Sequence, residues 1–274
     1  MAEQMRRWSE WADRLSVQSW AALAGALATC FFLINIQHPS AMFFDEIYYV
    51  PAARHFIEFS VPLNDEHPPL AKCIIALGIT IFGDNHWGWR DFSAIFGGLA
   101  LFGALMFVWE LYRSGRLMIL TGVLLIAGHL LFIQSRIAML DIFMAAFLML
   151  GLWQLVAAVR AQKDGWKRLA WAGAMLGLSI ACKWTSAPYL LLAGLSFLVW
   201  RAGALGKRAW NPATLLLDRA AAPVRGVSLL EAGLLLGLLP RVVVAGRQVA
   251  VLRVHGLVGR QPRVLVVGLV HELL

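Results

Sequence analysis

Long apolar runs separated by short charged segments recur through this chain, and they restrict its fold more than any other feature. The stretches 17–36, 92–109, 117–133 and 142–159 each hold close to the 20 or so mostly apolar residues needed to cross about 30 Å of hydrocarbon. Hydrophobic residues make up 60% of the chain and charged ones 15%, with a mean hydropathy of +0.69. Soluble domains lie nearer about 45–50% and 25%. An all-α, polytopic membrane protein is therefore expected, and a large soluble core is excluded. The three cysteines (Cys30, Cys73 and Cys182) lie in or beside apolar runs without paired spacing, which argues against a disulfide framework and a zinc site.

The flanking charges decide the harder segments. Residues 169–200 contain one charge, Lys183, with Lys167 and Arg168 before them and Arg201, Lys207 and Arg208 after. A helical hairpin turning at 183–188 keeps both basic clusters on one side; a single span would not. This gives six spans, or seven if 228–240 begins another despite Glu231. With a cytoplasmic N-terminus, segments 1–16, 110–116, 160–168 and 201–225 hold fourteen basic residues, against five outside: Arg54, Lys72, Arg90, Arg136 and Lys183. The positive-inside rule favours this orientation. It also accounts for the net charge of +8 without nucleic acid. Residues 1–16, with Trp8 and Trp11, read as an uncleaved surface segment.

Between the first two spans lies a polar excursion, 37–91. Ile47, Val50 and Ile57 fall near helical spacing, as in an interfacial helix, and 70–82 is apolar but too short to span. The excursion carries Asp45-Glu46, Asp65-Glu66-His67-Pro68-Pro69 and Lys72, and Arg90-Asp91 leads into span two. Arg136 and Asp141 fall at the next outer turn, and Lys183 at the one after. Ionisable groups at membrane depth are costly and are read by default as paired or functional. Cations and carboxylates gathered at one outer face suit an anionic lipid head group, with a carboxylate to handle a proton. Plainer readings stay open. Asp45-Glu46 could be a solvated pair, Lys72 could snorkel, and Arg136 and Asp141 could cap helices. Asp45, Glu66 and His67 could also hold a divalent ion, although no spacing is diagnostic of a metal. His129 reads as a buried polar contact in span three. Trp87, Trp89, Trp166 and Trp200 read as interface residues.

Phe44-Asp45-Glu46, His67-Pro68-Pro69-Leu70-Ala71-Lys72, Trp89-Arg90-Asp91, the segment from Arg136 to Asp141, and Cys182-Lys183-Trp184-Thr185 follow in that order. Together they resemble the dolichyl-phosphate-mannose–protein mannosyltransferases, glycosyltransferases of family 39 with the GT-C fold, in a bacterial form and over about residues 1–240. The resemblance implies a plasma-membrane enzyme with an extracytoplasmic site. It would move mannose from a polyprenyl-phosphate donor to Ser or Thr of a secreted protein, with inversion. It places Asp45, with Glu46, at the catalytic position, Arg90 on the donor phosphate, and His67, Lys72, Arg136, Asp141 and Lys183 in the binding site. A related GT-C enzyme that glycosylates a lipid such as lipid A is the second reading; a transporter or scaffold is the third, disfavoured because the charges collect at span ends. Members of the family have more spans than these six or seven. In 241–274, 11 of 34 residues are valine and none is aromatic, so this tail is expected to be a non-native continuation or a divergent end.

Overall fold

A computed structural model describes residues 16–161 and 165–205, all within the compact unit Met1–Leu238. The surface segment 1–15, the 228–240 span and the tail 241–274 lie outside the described residues, as does any domain boundary near 240. Among the described residues all regular secondary structure is helical: α1 Val17–Leu33, α2 Glu46–Ile57, α3 Leu70–Phe82, α4 His86–Tyr112, α5 Gly115–Ala127, α6 His129–Gln134, α7 Leu140–Arg160, α8 Gly165–Cys182, a 3₁₀ turn Trp184–Ser186, and α9 Ala187–Leu205. Two of these, α4 and α7, are long and apolar enough to cross a membrane, and α1, α3 and α5 are shorter apolar helices.

Local sequence sets the helix starts. Ser16 caps α1 by accepting from Ser19 N, Asn85 caps α4 by accepting from Trp87 N and Gly88 N, and Ser114 caps α5 by accepting from Leu117 N. Gly83, at φ +87°, makes the sharp turn between α3 and α4 that a side chain would strain. Helices α1 and α4 approach through Gly25 and Gly98, where a Cβ at Gly98 would overlap Thr29 Oγ1 and the Gly25 carbonyl. Small residues permit this backbone-to-backbone packing where lipid supplies no hydrophobic drive between helices. One core gathers α2, α3, α4 and α7 around Val50, Ile75, Phe143 and Met139, and a second joins α1 to α4 around Phe32 and Leu101.

Several expectations change. Span two starts earlier than 92, so Arg90 and Asp91 lie inside α4 rather than ahead of it. Span three breaks at Gly128 into α5 and α6, which puts His129 at a helix start, where it is exposed instead of buried. The 169–200 stretch does break after Cys182, at the 3₁₀ turn. The helix expected around Ile47, Val50 and Ile57 is α2; it buries Tyr49, Val50, Ala52 and Ala53 in the bundle and leaves Ile47 and Ile57 exposed. Trp87 and Trp166 are exposed as interface residues would be, but Trp89 and Trp200 are buried.

Candidate active site

The end of α1, the starts of α4 and α7, and the end of α8 meet at one end of the bundle. Arg136 donates to the carbonyls of Phe32, Ile34 and Asn35, closing the α1 C-terminus where backbone oxygens lack helical partners. Lys183 Nζ lies 2.8 Å from both oxygens of Asp141, joining the start of α7 to the end of α8. At the opposite end Arg113 pairs with Glu110 and Arg160 donates to the Leu111 carbonyl. The bundle thus has an acid-bearing end and a basic end.

The acidic pair divides. Glu46 is 0% exposed and sits against Arg90, also 0% exposed, with Arg90 Nη2 2.6 Å from Glu46 Oε2 and Nε 2.7 Å from Oε1. Glu46 also accepts from the backbone N–H of Phe43 and of Ala138. Arg90 fills its remaining donors with the carbonyls of Ile36, Pro39 and Ala41. A guanidinium has five N–H groups, and all five are engaged. Such a pair is tolerated when buried only because each charge is matched and each lone pair or proton is bonded. In this geometry Arg90 has no N–H to offer a phosphate, and Glu46 has no free face for a substrate. Together with Arg136 they hold the chain leaving α1.

Asp45 is what that frame presents. It begins α2 directly after Phe44, which is 64% exposed and lies at φ +57°, a left-handed conformation that an aromatic residue adopts only under constraint. The Asp45 side chain is half-buried, and its Oδ2 accepts from the Tyr49 hydroxyl at 3.3 Å. Tyr49 in turn meets the His67 ring edge-to-face, with centroids 6.0 Å apart. Burial, then the charges of Asp45, Asp141 and Glu66, hold the Tyr49 phenol above its ordinary value. Carboxylates distant in sequence therefore act on one buried hydroxyl.

The His67-Pro68-Pro69 segment is stitched to α3 by Lys72, which is nearly fully buried and donates to the carbonyls of Asn64 at 2.6 Å and His67 at 2.9 Å. Among the described residues one of its three N–H groups is left over. Beside it opens a cleft of about 710 Å³ lined by Asp65, His67, Lys72 and, from α8 and beyond, Ile180, Ala181 and Trp184. His67 Nδ1 is buried there with no partner among the described residues. A second, apolar groove of about 350 Å³ runs along Leu124, Leu130, Leu131 and Ile142 to Asp141. Among the described residues no three His, Cys, Asp or Glu side chains gather as metal ligands, so Asp45, Glu66 and His67 do not form a preassembled cation site.

One part of this end was not foreseen from the sequence: Tyr49, one helical turn beyond Asp45 and signalled only by that spacing. Arg54, already expected among the outer cations, pairs with Asp84 at 2.8 Å and lies over Trp89, whose Nε1 donates to Asp84 at 2.6 Å.

A family model for dolichyl-phosphate-mannose-protein mannosyltransferase matches residues 66–224, a stretch holding His67, Lys72, Arg90, Arg136, Asp141 and Lys183. Asp45 and Glu46 precede it. The polyprenol-phosphate-mannose–protein mannosyltransferase of Corynebacterium glutamicum is 30% identical over 243 residues, which cover 75% of this chain and 47% of that protein. The protein of the same name from Mycobacterium tuberculosis is 29% identical over 262 residues, covering 84% of this chain and 49% of that one. The chain thus spans about half the length of the curated relatives it matches. With the family model covering more than half of its residues, and motifs meeting at one bundle end, the chain belongs to the dolichyl-phosphate-mannose-protein mannosyltransferase family.

Proposed function

We propose that the chain carries the sugar-transfer site of a bacterial plasma-membrane glycosyltransferase, which moves mannose from a polyprenyl-phosphate donor to Ser or Thr of a secreted protein with inversion. In this reading the N-terminus is cytoplasmic, the chain crosses the bilayer several times, and the acid-bearing end faces outward. The observation that carries it is the division of the acidic pair: Glu46 is fully engaged by Arg90 and backbone N–H groups, while Asp45, among the described residues, receives a single side-chain hydrogen bond and remains half-buried.

A Ser or Thr hydroxyl is a weak nucleophile and needs a carboxylate within hydrogen-bond reach. As its oxygen bonds to the anomeric carbon, its proton passes to Asp45. The bond from that carbon to the phosphate oxygen breaks, and the electron pair leaves on the phosphate. Lys183, already at the same end with Asp141, and the remaining N–H of Lys72 supply positive charge, and a half-buried setting strengthens it. His67 Nδ1 offers a further polar contact. The apolar groove ending at Asp141 suits an isoprenoid chain. The relatives' names specify a polyprenol-phosphate-mannose donor and a protein acceptor.

The test uses membranes bearing the full chain, radiolabelled polyprenyl-phosphate-mannose, and either a Ser/Thr peptide or lipid A. Labelled peptide is expected, lost in Asp45→Asn with membrane insertion intact. Unchanged transfer by Asp45→Asn removes Asp45 from the mechanism, and label on lipid A alone assigns the chain to lipid glycosylation.

A further inference from the structure

Asp45 is the carboxylate that the proposed chemistry uses, and one side-chain donor reaches it among the described residues. That donor is Tyr49, whose hydroxyl lies 3.3 Å from Asp45 Oδ2. Tyr49 is 3% exposed and sits in the core that also holds Val50, Ala71 and Ile137, so the hydroxyl cannot swing out to water. Its ring is braced edge-to-face by His67, from the loop that Lys72 ties down. The groups acting on it come from each neighbouring element: Asp45 on its own helix, Glu66 and His67 from the loop before α3, and Asp141 from the start of α7, itself held by Lys183. In its contact with Asp45 the Tyr49 hydroxyl is the donor and the carboxylate oxygen accepts.

We propose that Tyr49 is a positioning residue: by occupying Asp45 Oδ2 it leaves Oδ1 as the oxygen that takes the acceptor's proton, and it fixes the carboxylate plane toward the acceptor. This rests on the mannosyl-transfer reading above. The residue does not touch the reacting atoms; it acts through Asp45. A Tyr that merely filled the core would be replaced by Phe at little cost, because the ring is what packs.

Two measurements on the full chain in lipid nanodiscs test it. Infrared difference spectra, each background against its Asp45→Asn counterpart, isolate the Asp45 carboxylate band whether or not sugar is transferred. In Tyr49→Phe that band is expected to move in frequency, because the hydrogen bond to Oδ2 is gone. In the transfer assay kcat is expected to fall about 10- to 100-fold, the size of a lost hydrogen bond to a charged group. KM for donor and acceptor should stay within about twofold. Replacing Tyr49 with 3-fluorotyrosine keeps both ring and donor, so kcat should stay near that of the wild type. An unmoved band, or a kcat within about twofold of wild type in Tyr49→Phe, overturns the proposal. If the wild type transfers mannose and Tyr49→Phe matches it, only the role of Tyr49 falls. If the band shifts but the wild type transfers nothing to peptide, the mannosyl-transfer reading fails and the catalytic role of Tyr49 fails with it.

Discussion

Arg90 shows how a side chain with an obvious functional reading can have a structural one. A cation beside a carboxylate pair suggests phosphate binding, yet every one of its donors ends on Glu46 or on a carbonyl between Ile36 and Ala41. Removing one partner strands the other's charge in the core. We expect Glu46→Gln and Arg90→Ala each to lose about 3–5 kcal/mol of stability. The check is resistance to denaturant in nanodiscs; loss of donor affinity at unchanged stability would return Arg90 to the phosphate. Arg90→Lys should rescue little, since three donors on a point charge cannot replace a five-donor fork. Asp45, by contrast, should be replaceable by Asn without loss of fold, because its side-chain partner, the neutral Tyr49 hydroxyl, can donate to an amide oxygen as well.

At the scale of the helices, two contacts set the frame. The α1–α4 crossing depends on glycine at Gly25 and Gly98, where no side chain fits between the backbones. Gly98→Ala should force the helices apart and cost about 1–3 kcal/mol, read as a lowered unfolding temperature; an unchanged midpoint would show that the crossing relaxes freely. The corner between α3 and α4 is tied to α2 by Arg54, Asp84 and Trp89. Burial raises the Asp84 carboxyl, but the bonds from Arg54 and Trp89 outweigh it and hold the group below its ordinary value. A depressed carboxyl stabilises above its unfolded value, about 3.9, and that contribution disappears as pH falls through the lower folded value. Amide protection at this corner, taken relative to the intrinsic exchange rate at each pH, should fall with acidification in the wild type and be low and nearly flat in Asp84→Asn. A wild-type corner as protected at low pH as at neutral pH would show that the tie carries no weight.

For the whole molecule, the contacts sort the charges by end. Arg136 and the Lys183–Asp141 pair lie where α1, α7 and α8 have their ends, with Asp45 near them beside Tyr49, and Arg113 and Arg160 lie at the other. If the acid-bearing end faces outward, Cys-replaced Glu66 and Asp141 should both react with an impermeant thiol reagent from outside, in a background lacking Cys30, Cys73 and Cys182. Labelling from opposite sides would separate them by a bilayer and dissolve the shared site.

Hydropathy and charge by themselves determined that the chain is a helical bundle of membrane type, where several of its helices lie and which short segments bring the ionisable residues into it. Segment 70–82 and the break after Cys182 are cases in point, because apolar length and flanking charge are local properties. Which member of each charged pair stays available was decided only in three dimensions. Glu46 and Asp45 are adjacent and chemically alike, but the step of one residue at the start of α2 points Glu46 at α4 and the Ala138 N–H, whereas Asp45 remains at the rim beside Tyr49. The pairing of Asp141 with Lys183, 42 residues apart, likewise depends on how α7 packs on α8. Partner choice among like residues follows from burial and donor geometry, and those exist only once the helices are packed.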